Sequence, residues 1–250
     1  MKRILFFYLV SCWLVASCKQ PYSGIISSTS FYEPGNETSI ASDSVIITEI
    51  TPYQKELNKI MNEVLVRSEV VMEKGKPESV LGNFVADACF SMAISKYQRE
   101  ENNIDFCFLN NGGLRSSLPS GDVTRRNVYE LMPFENELVV LTMKGVAIKK
   151  ILMYISNSGG VPVSNIQMKL TENGYRDVLI NGHPFDSANI YKVVTSDYLA
   201  NGGDGMNMLN ERINMEPLGI KVRDAIIDYM KAAHSHNEYL KPITDGRISK

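Results

Sequence analysis

Histidine is nearly absent from this 250-residue chain, which carries only His183, His234 and His236. A metal centre that does hydrolytic chemistry needs several ligands of matched geometry. Three histidines do not supply one, and His234-Ser235-His236 reads as a solvated helix end. Cysteine is almost as scarce, with four residues and no Cys-x-x-Cys pair, so zinc-ribbon and dithiol redox chemistry are excluded. No P-loop and no Ser-His-Asp set offers another catalytic route. An excess of either charge is also missing, since 26 basic side chains stand against 28 acidic ones for a net charge of -2. A binder of polymeric nucleic acid would normally show a basic domain or stripe. What is present is 44% hydrophobic and 22% charged residues, the composition of a folded chain with a real core.

Long hydrophobic runs are missing too, apart from Ile4 to Val15. Lys2 and Arg3 precede this run, which is too short for a permanent membrane span and has the form of an export signal. Val15-Ala16-Ser17-Cys18 resembles the lipobox of bacterial lipoproteins, which implies cleavage after residue 17 and acylation of Cys18. An ordinary secretory peptide with a chance cysteine is the alternative. Residues 18–44 are rich in Ser, Thr, Gly and Pro without periodicity, the pattern of a flexible tether. Residues 45–250 are then expected to form one domain on an exported lipoprotein of the cell envelope, either periplasmic or anchored to the outer membrane.

Within that domain, strands and helices mix without strict alternation. Val45–Thr51 and Val66–Met72 read as strands, and Leu57, Ile60, Met61, Val64 and Leu65 have helical spacing. A helix is expected to carry Leu81, Phe84, Val85, Ala88, Met92 and Ile94-Ser95 on an apolar stripe, with a strand over Ile104–Leu109, and a strand and helix over Val139–Met143 and Val146–Ile155. Asn181-Gly182 marks a hairpin, Ile190–Ser196 a strand, and Val222 to Met230 a late helix. The expected fold class is α+β, a single layered domain with a mixed β-sheet and flanking helices. Cys89 and Cys107 fall in this domain, either as one disulfide or as two small buried hydrophobes.

Three segments stand at strand ends. Asn110-Asn111-Gly112-Gly113-Leu114-Arg115 follows an apolar strand; Gly112 and Gly113 let backbone approach a ligand, and Arg115 offers a planar fork suited to phosphate or carboxylate. Met132-Pro133-Phe134-Glu135-Asn136 precedes a strand, where Phe134 is either a core side chain or a presented ring. Tyr198-Leu199-Ala200-Asn201-Gly202-Gly203-Asp204-Gly205 puts a ring and a carboxylate on one glycine-rich loop. Rings stack on nucleobases, and carboxylates accept hydrogen bonds from sugar hydroxyls.

In this order, and together with Leu81-Gly82-Asn83-Phe84-Val85-Ala86-Asp87-Ala88, Lys144-Gly145 and Asp245-Gly246-Arg247-Ile248, these segments resemble the C-terminal domain of bacterial and animal 5′-nucleotidases. That family includes UDP-sugar hydrolases and 2′,3′-cyclic nucleotide phosphodiesterases. The resemblance implies a substrate-binding domain in which Phe134 and Tyr198 sandwich the base, Asp204 takes the ribose hydroxyls, Asn110 contacts the base and Arg115 approaches the phosphate. Lys74-Gly75-Lys76-Pro77 stands where many members carry another arginine on the phosphate side, and lysine lacks the bidentate fork.

The resemblance also implies a dimetal metallophosphatase domain, whose Asp-x-His, Gly-Asp, Asn-His and Gly-His-x-His segments do not occur in this sequence. The reading is therefore the substrate-binding half of a split 5′-nucleotidase. No cofactor is expected in this chain, and divalent metals are expected only in a separately encoded partner. Nucleotide or nucleoside and, through the lipid, the membrane are the other expected partners. An exported nucleotide-binding lipoprotein without hydrolysis is the alternative, and a structural lipoprotein with a disused site is a third reading.

Overall fold

The computed structural model describes residues 43–97 and 104–250. Residues 1–17, Cys18 and nearly all of the expected tether lie outside the described residues. Two units are distinguished, residues 1–48 and 49–250, and apart from the first residues of the first helix the architecture below is that of the second.

The expected strand over Val45–Thr51 is helical instead, part of α1 (Ser44–Met61). Its β-branched residues favour a strand only weakly. Asp43 decides the outcome locally, because its Oδ1 accepts from Val45 N at 2.9 Å and caps the first turn. No α1 residue is buried. The expected helical spacing also ran too far: Val64 and Leu65 belong to β1 (Val64–Ser68). β1 stops short of Met72, which makes only an isolated bridge to Leu118. Its antiparallel partner, β3 (Gly121–Thr124), leads directly into α3 (Arg125–Leu131) through a capping box of Thr124 and Asn127.

The main sheet has the order β10-β4-β9-β2-β5. Its strands are β2 (Phe106–Phe108), β4 (Glu137–Lys144), β5 (Val163–Ser164), β9 (Ile190–Ser196) and β10 (Asn214–Lys221). Both faces are covered, and the period of two sorts the side chains between them. Cys107, Leu138, Val140 and Val194 join one cluster with α2 (Val80–Lys96) and α6 (Val222–Ser235). Phe106, Phe108, Val139, Leu141, Met143 and Val193 join the other with α4 (Gly145–Asn157). Ile166, Met168 and Ile180 close that second cluster from a smaller sheet of order β11-β6-β7-β8. Those strands are β6 (Ile166–Thr171), β7 (Gly174–Ile180), β8 (His183–Pro184) and β11 (Ile248–Ser249), with the expected Asn181-Gly182 turn between β7 and β8. The fold class is α+β, mixed sheets with flanking helices.

Cys89 and Cys107 are both free and buried. Burial pushes the Cys89 thiol up to about 12 and the Cys107 thiol well above its usual range, so neither is a thiolate. The two short motifs at the ends of the domain meet each other. Arg247 makes a forked ion pair with Asp87 of α2 at 2.7 and 3.0 Å, and Glu78 accepts from the backbone of Asp245 and Gly246 at 2.8 and 2.9 Å. Their role is to fasten the C-terminal segment to α2.

Candidate functional site

Sheet topology brings the three strand-end segments together. β2 and β9 are parallel, with Cys107 opposite Val194, so both chains leave the sheet at the same end. β4 runs antiparallel to β9 with Leu138 opposite Ser196, so β4 starts where β9 finishes. The Asn110 loop, the Phe134 loop and the Tyr198 loop therefore border one cleft of about 260 Å³. Asn110, Gly112, Gly113, Arg115, Phe134, Asn136, Tyr198 and Asp204 line it. All seven residues singled out in these loops from the sequence are present, and Asn136 is added.

The Tyr198 loop is built around its glycines. Ser196 caps α5 (Asp197–Ala200), its Oγ accepting from Leu199 N at 3.3 Å. The chain then reverses through Gly202 with φ 93° and Asp204 with φ 52°, both left-handed. At Gly203 a Cβ would come within 2.5 Å of the Tyr198 ring, so only glycine lets the loop fold back beneath it. The fold-back brings the Tyr198 hydroxyl to Asp204, donating to Oδ1 at 2.9 Å. Asn110 donates from Nδ2 to Oδ2 of the same carboxylate at 2.7 Å. Asp204 is thus oriented by two loops and keeps accepting capacity toward the cleft. Its hydrogen bond raises the pKa of Tyr198, because losing the phenolic proton would set two anions together.

Phe134 and Tyr198 are 39% and 44% exposed, so the core alternative for Phe134 does not hold. The Arg115 guanidinium stands 6.0 Å from the Phe134 ring centroid and donates to Gly112 O at 3.3 Å. Lys74 donates to Leu114 O at 3.0 Å, one residue from Arg115, and Lys76 to Ser158 O at 2.5 Å. Asp197 ties two walls together, its Oδ1 accepting from Glu137 N at 3.0 Å and Tyr198 N at 2.7 Å.

Sequence reasoning missed the support beneath Phe134. Arg223 of α6, 5% exposed, reaches the backbone of that loop and pairs with Glu135, which Lys221 also contacts. The two cations hold the Glu135 carboxyl at about 2, well below its ordinary value. No local signal announces this contact between residues 88 positions apart.

The cleft offers rings, amides, a guanidinium and one carboxylate. Among the described residues no group of three or more His, Cys, Asp or Glu is placed to hold a metal ion. That donor set does not fit a two-metal centre, and it does fit a ligand with a flat face, hydroxyls and an anionic end.

The sequence profile of the family described as 5′-nucleotidase, C-terminal domain, matches residues 59–211, a span that includes all three loops. The chain belongs to the 5′-nucleotidase C-terminal domain family. Within curated proteins, it is 29% identical over 224 residues to the trifunctional nucleotide phosphoesterase protein YfkN of Bacillus subtilis, covering 81% of this chain and 15% of that one. Protein UshA of Yersinia enterocolitica is 30% identical over 171 residues, covering 66% of this chain and 30% of UshA. Among solved structures, the 5′-nucleotidase precursor of Thermus thermophilus superposes with a TM-score of 0.64 at 25% identity, covering 83% of this chain and 43% of that one. A 5′-nucleotidase C-terminal domain is thus the part shared, and the chain spans less than half the length of these relatives.

Proposed function

We propose that this chain binds nucleotides for a 5′-nucleotidase, with the base between Phe134 and Tyr198, the ribose hydroxyls on Asp204 and the phosphate side facing Arg115. The observation that carries this reading is the pair of large, exposed rings on one cleft beside a carboxylate already oriented by two hydrogen bonds. Flat rings give sequence-tolerant affinity for a base, and an oriented carboxylate discriminates a sugar that carries hydroxyls. In this reading Asn110 acts first by holding Asp204 and contacts the base with what capacity remains. Gly112 and Gly113 keep the loop close to the ligand. Arg115, lying on the Phe134 side, adds selectivity for phosphorylated ligands.

Hydrolysis is assigned to a metallophosphatase outside these residues and separately encoded, where bound metal ions supply the activated water. The chain itself carries no cofactor in this reading. It is held at the bacterial cell envelope by acyl chains on Cys18, each buried methylene contributing about 0.8 kcal/mol. Fatty-acid labelling of wild type but not Cys18→Ala supports that anchor, and equal labelling of both removes it. Calorimetry with AMP, adenosine and adenine tests the site. The expected ranking is AMP, then adenosine, then adenine, and failure of all three to bind overturns the reading. Phosphate release from AMP is expected only when a metallophosphatase is added. Binding without turnover in such pairs moves the assignment to a non-hydrolytic nucleotide-binding lipoprotein.

A further inference from the structure

Arg223 lies outside the cleft, is buried, and makes contacts that converge on one loop. From α6 its Nη1 donates to Phe134 O at 3.4 Å and to Met132 O at 3.5 Å, while Nη2 pairs with the Glu135 carboxylate. Its guanidinium stacks 4.2 Å over the Tyr129 ring of α3, the helix that leads into the same loop. Its Nε is buried and has no hydrogen-bond partner among the described residues. A buried donor without a partner is unfavourable, so this arginine is not placed for self-satisfaction. Lys221 pairs with the same Glu135 carboxylate from the end of β10, and Asn136 O receives Val222 N at 2.9 Å. The loop presenting the exposed Phe134 ring is thus gripped from behind by the β10–α6 junction.

We propose that Arg223, with Glu135, is a positioning residue that fixes the Phe134 ring for stacking on a nucleobase. This rests on the nucleotide-binding reading and deepens it. A ring on a Met-Pro-Phe loop that packs into no core would otherwise sample many positions, and ordering it on binding would weaken affinity. The rigid fork of arginine holds two carbonyls and a carboxylate at once, which a lysine cannot do.

The test uses the full chain with adenosine in calorimetry. Arg223→Gln should weaken binding about tenfold, and Arg223→Lys should recover part of that loss. Glu135→Gln, at a side chain 63% exposed, leaves the core intact and should weaken binding severalfold, which keeps the test alive if Arg223→Gln fails to fold. In a Phe134→Ala background neither change should weaken binding further, because a positioning residue has nothing left to position. A second readout follows the ring itself. With Trp13, the sole tryptophan, changed to Phe and Phe134 changed to Trp, fluorescence anisotropy should decay faster once Glu135→Gln is added. Full additivity with Phe134→Ala, or unchanged affinity and anisotropy in Glu135→Gln, overturns the clamp. If Phe134→Ala alone leaves adenosine binding intact, the nucleotide-binding reading fails, and the clamp falls with it. If that change weakens binding while the Glu135 and Arg223 variants do not, the clamp alone fails.

Discussion

Two pairs of aromatic side chains lie at opposite extremes within one layer of this fold. Phe106 and Phe108, inside β2, are fully buried, with ring centroids 6.3 Å apart, and face α4 and the smaller sheet. Phe134 and Tyr198, just beyond the ends of β4 and β9, are 39% and 44% exposed. A strand covered on both faces buries whatever side chain its period places there. Where the strand stops, side-chain direction follows loop geometry, and a large ring can be left in water. Sustained exposure of two such rings in one concavity is what separates a binding surface from a core.

The largest expected effect tests the buried pair. Phe108→Ala should destabilise the domain by roughly 3–5 kcal/mol in denaturant unfolding, since no relaxation of a two-sided core fills that volume. Phe134→Ala should shift stability by no more than about 1 kcal/mol. If the two cost the same, Phe134 is a core residue after all and the contrast collapses.

Next in size is the loop glycine. Gly203→Ala sets a methyl within 2.5 Å of the Tyr198 ring and should displace it, weakening adenosine binding by about tenfold or more while the domain remains folded by circular dichroism. Retained affinity would mean the ring position is not what binds.

Ring removal is of the same size. Phe134→Ala or Tyr198→Ala should each weaken adenosine by roughly 1–3 kcal/mol, whereas Tyr198→Phe should keep most affinity because the π-face remains. Asp204→Ala should weaken adenosine more than adenine, and Arg115→Ala should weaken AMP more than adenosine. Equal losses across the three ligands would assign these residues to structure instead of recognition.

The smallest effect lies away from the cleft, at Asp245, whose pKa is lowered chiefly by its Arg247 hydrogen bond. A depressed carboxylate pKa adds stability that is present at neutral pH and is lost as the pH falls through about 3.8 and below. Asp245→Asn should therefore cost stability at pH 7 and progressively less below pH 4 in urea titrations.

Much of the scaffold was legible because its signals are local. Ile190–Ser196 reads as a strand from its β-branched and aromatic residues and is β9 with the same ends. The helix carrying Leu81 to Ser95 was legible and is α2, which begins at Val80, where Ser79 caps it. Val45–Thr51 misled because β-branching is a weak preference that one capping aspartate outweighs. β10 was missed because it carries Pro217 and Gly219 and is an edge strand, with burial too partial to mark alternation. At the cleft, residue types and spacing were legible in all three loops, but their partners were not. Asn110 and Asp204 stand 94 positions apart, and Arg223 reaches Phe134 across 89.

Sequence alone marked the candidates for the proposed nucleotide site: two rings, a carboxylate and an arginine, in short segments that also hold glycine or proline and adjoin apolar runs. Such information is local, carried by side-chain chemistry and by the backbone freedom or restraint of a few positions. It took the folded sheet to show that the three loops share one mouth, that Phe134 faces water, that Asn110 serves Asp204 and that Arg223 grips the loop from behind. Those outcomes depend on strand order and direction in a sheet whose neighbours are distant in the chain, and no short window of sequence contains both members of such a pair.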